Sequence, residues 1–201
     1  AIVRAFDGFV DVYIDLQFST YFVPSKLTAQ DGMEVSLQNF EKVTIDGNVE
    51  ATILGTTAAD TLVGDAGADT ITGRAGADTL TGGSRSDTFV FTTGDTGITL
   101  DTADTITDFS TGNDKIDIAT VGSYVEADGS GNADLAAFIT DANASLPTTS
   151  IDIYAEYNFK GEGNTIVVID EDKSGSVDAG DTLIILSGLS TADGLDAADF
   201  I

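Results

Sequence analysis

Cysteine, histidine and tryptophan are absent from this 201-residue chain, and proline occurs only twice. Without cysteine there is no disulfide framework, and without cysteine or histidine there is no zinc site of the usual sulfur and nitrogen donors. Basic residues are scarce: 8 stand against 34 acidic ones, for a formal charge of −26. A phosphate backbone demands a basic face, so nucleic acid is excluded as a partner. No apolar run approaches the ~20 residues that a membrane-spanning helix needs. Nor does a basic stretch followed by an apolar one open the chain, so neither a transmembrane segment nor a signal peptide is expected in it. It begins at Ala1 without methionine and reads as a fragment of a longer protein. The acidic excess opposes compaction unless cations neutralise it. Yet a hydrophobic content of 42% is too high for a disordered acidic tail. A core is encoded, and its formation is conditional.

What the chain does contain is a short period. From Gly55 to Val90 it reads GTTAADTLV, GDAGADTIT, GRAGADTLT, GGSRSDTFV, four nonamers in one frame. A repeated unit of this kind stacks on its neighbours and does not fold alone. Each copy opens with Gly, places Asp sixth and Thr seventh, and puts a large apolar residue eighth, so Asp60, Asp69, Asp78 and Asp87 return in register. The glycine-rich loops around them, with Gly64, Ala66, Gly67, Gly73, Ala75, Gly76 and Gly82, can turn backbone carbonyls inward. Carboxylates and carbonyls together form a site for a hard divalent cation, with calcium the leading candidate. A competing reading is a solenoid whose Asp residues only cap turns.

The nonamer resembles the G-G-x-G-x-D-x-U-x repeat of the RTX family. The match is strongest in GDAGADTIT and GRAGADTLT; Thr56 and Ala58 replace both later glycines of the first copy, and Arg85 stands at the fourth place of the last. The resemblance implies a parallel β-roll in which two repeats make one coil. It also implies Ca2+ between stacked loops, shared between alternate repeats: Asp60 with Asp78, and Asp69 with Asp87. The expected fold is therefore mainly all-β, a parallel β-roll or β-solenoid with capping strands, one short helix and a C-terminal β-hairpin.

Three regions follow. Residues 1–54 read as a strand-rich run-in and N-terminal cap, 55–118 as the roll with its closing segment, and 119–201 as a C-terminal cap. In the first, Val10, Val12, Ile14 and Leu16 alternate with Asp11 and Asp15 as one strand. EVSL, KVTI and ATIL read as short strands, with Asp46-Gly47-Asn48 a turn between the last two. Phe6, Phe9, Phe18, Phe22 and Phe40 are expected to fill the core of this part.

The stretch DTADTITDFSTGNDKIDI, from Asp101 to Ile118, resembles the segment that closes the roll in serralysin-type C-terminal domains. That resemblance implies terminal calcium ligands at Asp104 and Asp108, with Asp114 a weaker match. The alternative is that Ile106, Phe109, Ile116 and Ile118 plug the roll while the acids face water. Further on, Leu135, Phe138, Ile139, Ala142 and Leu146 form one helical stripe, with Asn132 or Asp134 as cap and Pro147 beyond its end.

A second metal candidate lies between TIVVI and TLIIL. Asp170, Asp172, Ser174, Ser176, Asp178 and Asp181 occupy places one, three, five, seven, nine and twelve of a loop with Gly175 at six. That is EF-hand ligand spacing, although the twelfth residue is the shorter Asp and the flanks read as strands. A structural calcium hairpin and a metal-free Asp/Gly turn both remain open. The ending LDAADFI resembles the uncleaved export signal of type I secretion substrates.

Together these features imply a calcium-dependent folding and type I secretion module of an extracellular bacterial protein, with the exporter as its partner in transit. The alternative is a module that binds a cell-surface polysaccharide or assembles an S-layer or adhesin. Arg74 and Arg85 supply the few cations such a face would use. Ice binding by TIT at 70–72 and TLT at 79–81 is a third class, but opposite faces of a roll leave too few rows on each. The segment itself is not expected to be an enzyme. H-E-x-x-H cannot occur, G-x-S-x-G does not, and the carboxylates belong to a repeat.

Overall fold

The computed structural model describes residues 50–118, 122–146, 152–191 and 194–201, together with the strand backbone of 25–28, 34–38 and 42–46. Along the repeats every second residue of a strand is apolar and the others are mostly Thr, so one face of each strand turns inward. The odd strands β1 (Ser25–Thr28), β3 (Lys42–Asp46), β5 (Thr61–Asp65), β7 (Thr79–Gly83) and β9 (Asp104–Ile106) form one parallel array in that order. The even strands β2 (Glu34–Gln38), β4 (Glu50–Leu54), β6 (Thr70–Thr72), β8 (Thr88–Val90) and β10 (Lys115–Asp117) form the second. Successive strands therefore cross from one sheet to the other, and a strand's neighbour in its own sheet lies one coil away: Thr61 pairs with Thr79, and Thr70 with Thr88. This is a parallel β-roll.

Its core is two facing columns. Ile53, Ile71, Phe89 and Ile116 run through the five-stranded sheet, and Leu62, Leu80 and Ile106 through the other; all are fully buried. Each such side chain contributes about 1.5–3 kcal/mol by leaving water.

The odd sheet does not stop at the roll. After β11 (Tyr124–Asp128) and the helix α1 (Leu135–Ser145) come β12 (Asp152–Phe159), β13 (Asn164–Asp170) and β14 (Thr182–Leu186). Strand β14 pairs in parallel with β9, giving nine strands in the order β1-β3-β5-β7-β9-β14-β13-β12-β11. The expected hairpin is β13–β14, antiparallel, with the 170–181 loop at its tip. Both faces of this extension are covered. Ile153, Ala155, Val167, Ile169, Ile184 and Leu186 join the roll core, whereas Tyr154, Ile166, Val168 and Leu183 pack against Phe138 and Ala142 of α1. Asp134 is the N-cap, accepting the Ala137 amide at 3.0 Å, and Asn132 instead gives its side-chain amide to Glu156 at 2.7 and 2.9 Å. No helix among the described residues is long and apolar enough to cross a membrane.

The expected strand at Val10–Leu16, the five phenylalanines from Phe6 to Phe40 and the Gly47-Asn48 turn lie outside the described residues. The flanking strands β3 and β4 lie in opposite sheets and pair with strands one coil away. The final segment adds to the edge of the five-stranded sheet: Ile116 bridges Phe200, and the Ile201 amide donates to the Ile116 carbonyl at 3.0 Å. Phe200 is buried 5.8 Å from the Tyr124 ring centroid.

Leu80→Ala removes a fully buried link between Leu62 and Ile106. It should cost roughly 2–5 kcal/mol in chemical denaturation at saturating calcium; a loss well under 1 kcal/mol would show that the column is not the core.

Candidate metal centre

The Asp at the sixth place of each repeat ends a loop and enters a strand, and this position sets what its carboxylate meets. In one column the Asp60 amide donates to Asp78 Oδ1, and the Asp78 amide to Asp104 Oδ1, both at 2.8 Å. In the second, the Ala51 amide donates to Asp69 Oδ1 at 2.7 Å, the Asp69 amide to Asp87 Oδ1 at 2.8 Å and the Asp87 amide to Asp114 Oδ1 at 3.0 Å. One oxygen of each carboxylate thus ties its coil to the one before. The alternate pairs Asp60 with Asp78 and Asp69 with Asp87 are stacked as the repeat implies.

The second oxygen is left over. Oδ2 of Asp69, Asp78, Asp87 and Asp104 is buried without a hydrogen-bond partner. A buried, unpaired carboxylate oxygen is costly. Those of Asp69, Asp78 and Asp87 lie in cradles at the leading glycines Gly64, Gly73 and Gly82. A Cβ added at Gly64 would meet Asp69 Oδ2 at 2.2 Å and the Gly82 carbonyl oxygen at 2.6 Å. One at Gly55 would meet Asp60 Oδ2 and the Gly73 carbonyl oxygen, each at 2.5 Å. At Gly73 and Gly82 it would meet Asp78 Oδ2 at 2.2 Å and Asp87 Oδ2 at 2.3 Å. Carboxylate and carbonyl oxygens converging where no side chain fits are the donor set of a hard divalent cation, and the residues present fit Ca2+. A bound cation would supply the positive charge that these oxygens lack.

The remaining loop positions shape the cradles. Ala66, Gly67, Ala75 and Gly76 lie in the turns, and Gly76 packs so closely on the coil before it that a Cβ would come within 2.7 Å of the Ala58 carbonyl. At the second place of the last three repeats the backbone is left-handed, with φ of +90° at Asp65, +72° at Arg74 and +105° at Gly83. In the first copy Thr56 has that place, and its amide donates to Asp60 Oδ2 at 2.5 Å, so Asp60 is satisfied by its own loop.

Of the closing-segment candidates, Asp104 continues the first column. Asp108 caps amides, accepting from Gly82 at 3.0 Å and Gly83 at 2.8 Å. Asp114 holds the stacked place in the second column, and its Oδ2 accepts the Ser110 amide at 2.8 Å. Gly55 completes the first cradle although its residue type alone did not single it out; the frame of the repeat, which makes it the leading Gly, is the signal for it.

The 170–181 loop is built differently. Carboxylate oxygens of Asp170, Asp172 and Asp181 lie within 4.8 Å of one another. Asp170 accepts the amides of Ser174 and Gly175, and Asp181 those of Glu171 and Asp178, so both oxygens of each are occupied. Asp178 turns to the Gly180 amide, and the Ser174 hydroxyl donates to the Ser176 carbonyl. The loop is held by its own turns, with Gly175 at φ +71°.

Burial pushes Asp69 and Asp78 up to about 6, Asp87 to about 7 and Asp104 to about 8. In each the accepted amide works against that rise, and neighbouring carboxylates add to it. Asp181 rises to about 6, again through burial.

Residues 54–89 match the family model described as the RTX calcium-binding nonapeptide repeat, in four copies. No curated protein matches the chain. Among solved structures, it is similar to the solution structure of the AlgE6R2 subunit from the Azotobacter vinelandii mannuronan C5-epimerase. The identity is 23%, over 89% of this chain and 92% of that one, with a TM-score of 0.46. The repeat segment is thus of the calcium-binding type, and the cradles at its leading glycines are where its oxygens converge.

The raised carboxyls have a definite pH consequence. Their unfolded value is about 3.9, so in chelator they stabilise the fold fully only below about pH 4. That contribution is lost as pH rises through about 6 to 8. The thermal midpoint in chelator should fall as pH rises from about 5, with the transition lost before about pH 7.5, and saturating calcium should abolish or reverse the slope, because cation binding needs ionised carboxylates. A flat profile in chelator would contradict the burial of unpaired carboxylates.

Proposed function

We propose that this chain is a calcium-dependent folding module of an extracellular bacterial protein, carried unfolded through a type I exporter and folded outside the cell. The four buried Oδ2 atoms without partners are the observation that carries it. With no cation, folding buries these charges unpaired in a chain whose net charge is already −26. With cations, each independent site that binds only the folded state adds about 2.7 kcal/mol at a hundredfold excess over Kd. Extracellular modules bind calcium with Kd on the order of 10⁻⁴–10⁻³ M. Such sites stay empty at cytosolic calcium and fill outside.

The export part rests on the resemblances of residues 101–118 and of LDAADFI. Its physical support is that Leu195 and Phe200 are buried in the folded chain, so an exporter can read this segment only before folding. In this reading the chain is not itself an enzyme, because its carboxylates serve as stacked ligands. The 170–181 loop is a second, weaker metal locus, since its buried carboxylates already hold amides. The polysaccharide alternative has less support: the guanidinium of Arg74, one of the two cations it relies on, donates to the Gly55 carbonyl at 3.1 Å.

Circular dichroism of the full chain at about pH 7.5 tests the folding half. Strand signal should be absent in chelator, appear at calcium on the order of 10⁻⁴–10⁻³ M, and stay absent with equimolar magnesium. A fully β-structured chain in chelator overturns the proposal. For the export half, cells carrying a type I exporter should release the chain, and loss of residues 195–201 should retain it inside. Equal release of both forms would refute the role given to that segment.

A further inference from the structure

Asp60, Asp78 and Asp104 stack in the first column, and Asp69, Asp87 and Asp114 in the second. In chain order the middle ones, Asp69, Asp78, Asp87 and Asp104, leave Oδ2 buried without a hydrogen-bond partner. The first and the last do not, and both are answered in the same way. The amide four residues before the Asp turns onto its Oδ2: Thr56 onto Asp60 at 2.5 Å, and Ser110 onto Asp114 at 2.8 Å.

The backbone accounts for the difference. Four residues before Asp69, Asp78 and Asp87 stand Asp65, Arg74 and Gly83, all left-handed, and no amide reaches the Oδ2 that follows. Thr56 and Ser110 are not left-handed. For Thr56 this is the steric expectation, because a β-branched residue is an outlier at positive φ. Its side chain adds to the effect. Thr56 Oγ1 accepts the Ala58 amide at 3.1 Å and lies 3.1 Å from both Asp60 oxygens. Its proton has the carboxylate closer than the other acceptor, the Ala58 carbonyl at 3.5 Å. The cradle at Gly55 is otherwise kept, with Asp60 Oδ2 and the Gly73 carbonyl oxygen both at its mouth. What sets it apart from the Gly64 cradle is a carboxylate already engaged. Hydrogen bonds to a carboxylate are about twice as strong as neutral ones, and a cation would have to displace them.

We propose that Thr56 and Ser110 close the two ends of the carboxylate stack to the divalent cation, which leaves Asp69, Asp78, Asp87 and Asp104 as the carboxylates that take it. The inference rests on the calcium-binding reading of the repeats. At the ends the chain's own amides do for Oδ2 what the cation does inside, so the stack stops without an unsatisfied carboxylate oxygen. Within the repeats the selector is the second place: a residue that turns left-handed leaves the cradle open, and Thr closes it.

Equilibrium dialysis of the full chain at saturating calcium, counting ions bound per chain, tests this. Thr56→Gly gives the first repeat the residue that Gly83 supplies in the last. It should bind one ion more than the parent, and Asp60→Asn on that background should remove the added ion. In the parent, Asp60→Asn and Asp114→Asn should each leave the count unchanged, whereas Asp69→Asn should lower it. A Thr56→Gly chain that binds no more than the parent overturns the closure. A count lowered by Asp60→Asn or Asp114→Asn in the parent makes that Asp a ligand and overturns it at that end, with the calcium reading intact. If the parent binds no calcium, the calcium reading fails and the closure with it. Should the Asn variants not fold, Thr56→Gly against the parent decides alone.

Discussion

Four carboxylate oxygens buried without partners govern this molecule. The other oxygen of each Asp is well used, because it ties the amide of the coil before it and so sets the register of the roll. That tie can form only by drawing the whole carboxylate inside, where its second oxygen finds nothing in the protein to bond. Stacking and charge burial are therefore one event. The apolar columns of Ile71, Phe89, Leu62 and Leu80 favour the roll, while the carboxylate columns oppose it until they are neutralised by protons or by a divalent cation.

The same constraint accounts for the departures from the repeat. In the first copy Thr56 supplies an amide and a hydroxyl to Asp60, and Asp60 is the repeat carboxylate whose oxygens are not left over. Past the last copy, Asp108 caps Gly82 and Gly83 while Asp114 takes the stacked place. Beyond the roll, the hairpin continues the odd sheet through β14, and the final segment covers the edge of the even one. An exposed edge strand is a template for unwanted pairing, and at β10 that edge is occupied by Phe200 and Ile201.

Much of this was legible in the sequence. The nine-residue frame placed Asp69, Asp78 and Asp87 and their glycines, and the helical stripe from Leu135 to Leu146 matches α1. The β13–β14 hairpin was marked by two apolar runs around an Asp/Gly loop. What escaped has physical reasons. Strand β12 does alternate, with Ile153, Ala155, Tyr157 and Phe159 set against Asp152, Tyr154, Glu156 and Asn158. But Asp152, Tyr154 and Glu156 are buried too, so the pattern of polar places does not reveal a strand covered on both faces. A turn signal such as Asp46-Gly47-Asn48 marks a change of direction but not a partner, and in a roll the partner is a coil away. The stacked place of Asp114 was obscured because it follows Asp87 by 27 residues, which breaks the count of two repeats. EF-hand spacing at 170–181 did locate three converging carboxylates. It could not show that both oxygens of Asp170 and Asp181 would already hold backbone amides.

The central claim is that the carboxylate-to-amide ladder forms only when its charges are neutralised. Residue-resolved hydrogen exchange of the Asp60, Asp69, Asp78 and Asp87 amides, in chelator and in saturating calcium at about pH 7.5, tests it most directly. All four amides donate to a carboxylate of the next coil. The account predicts that they exchange freely in chelator and become protected together over one calcium range. Protection of all four in chelator, unchanged by calcium, would contradict it.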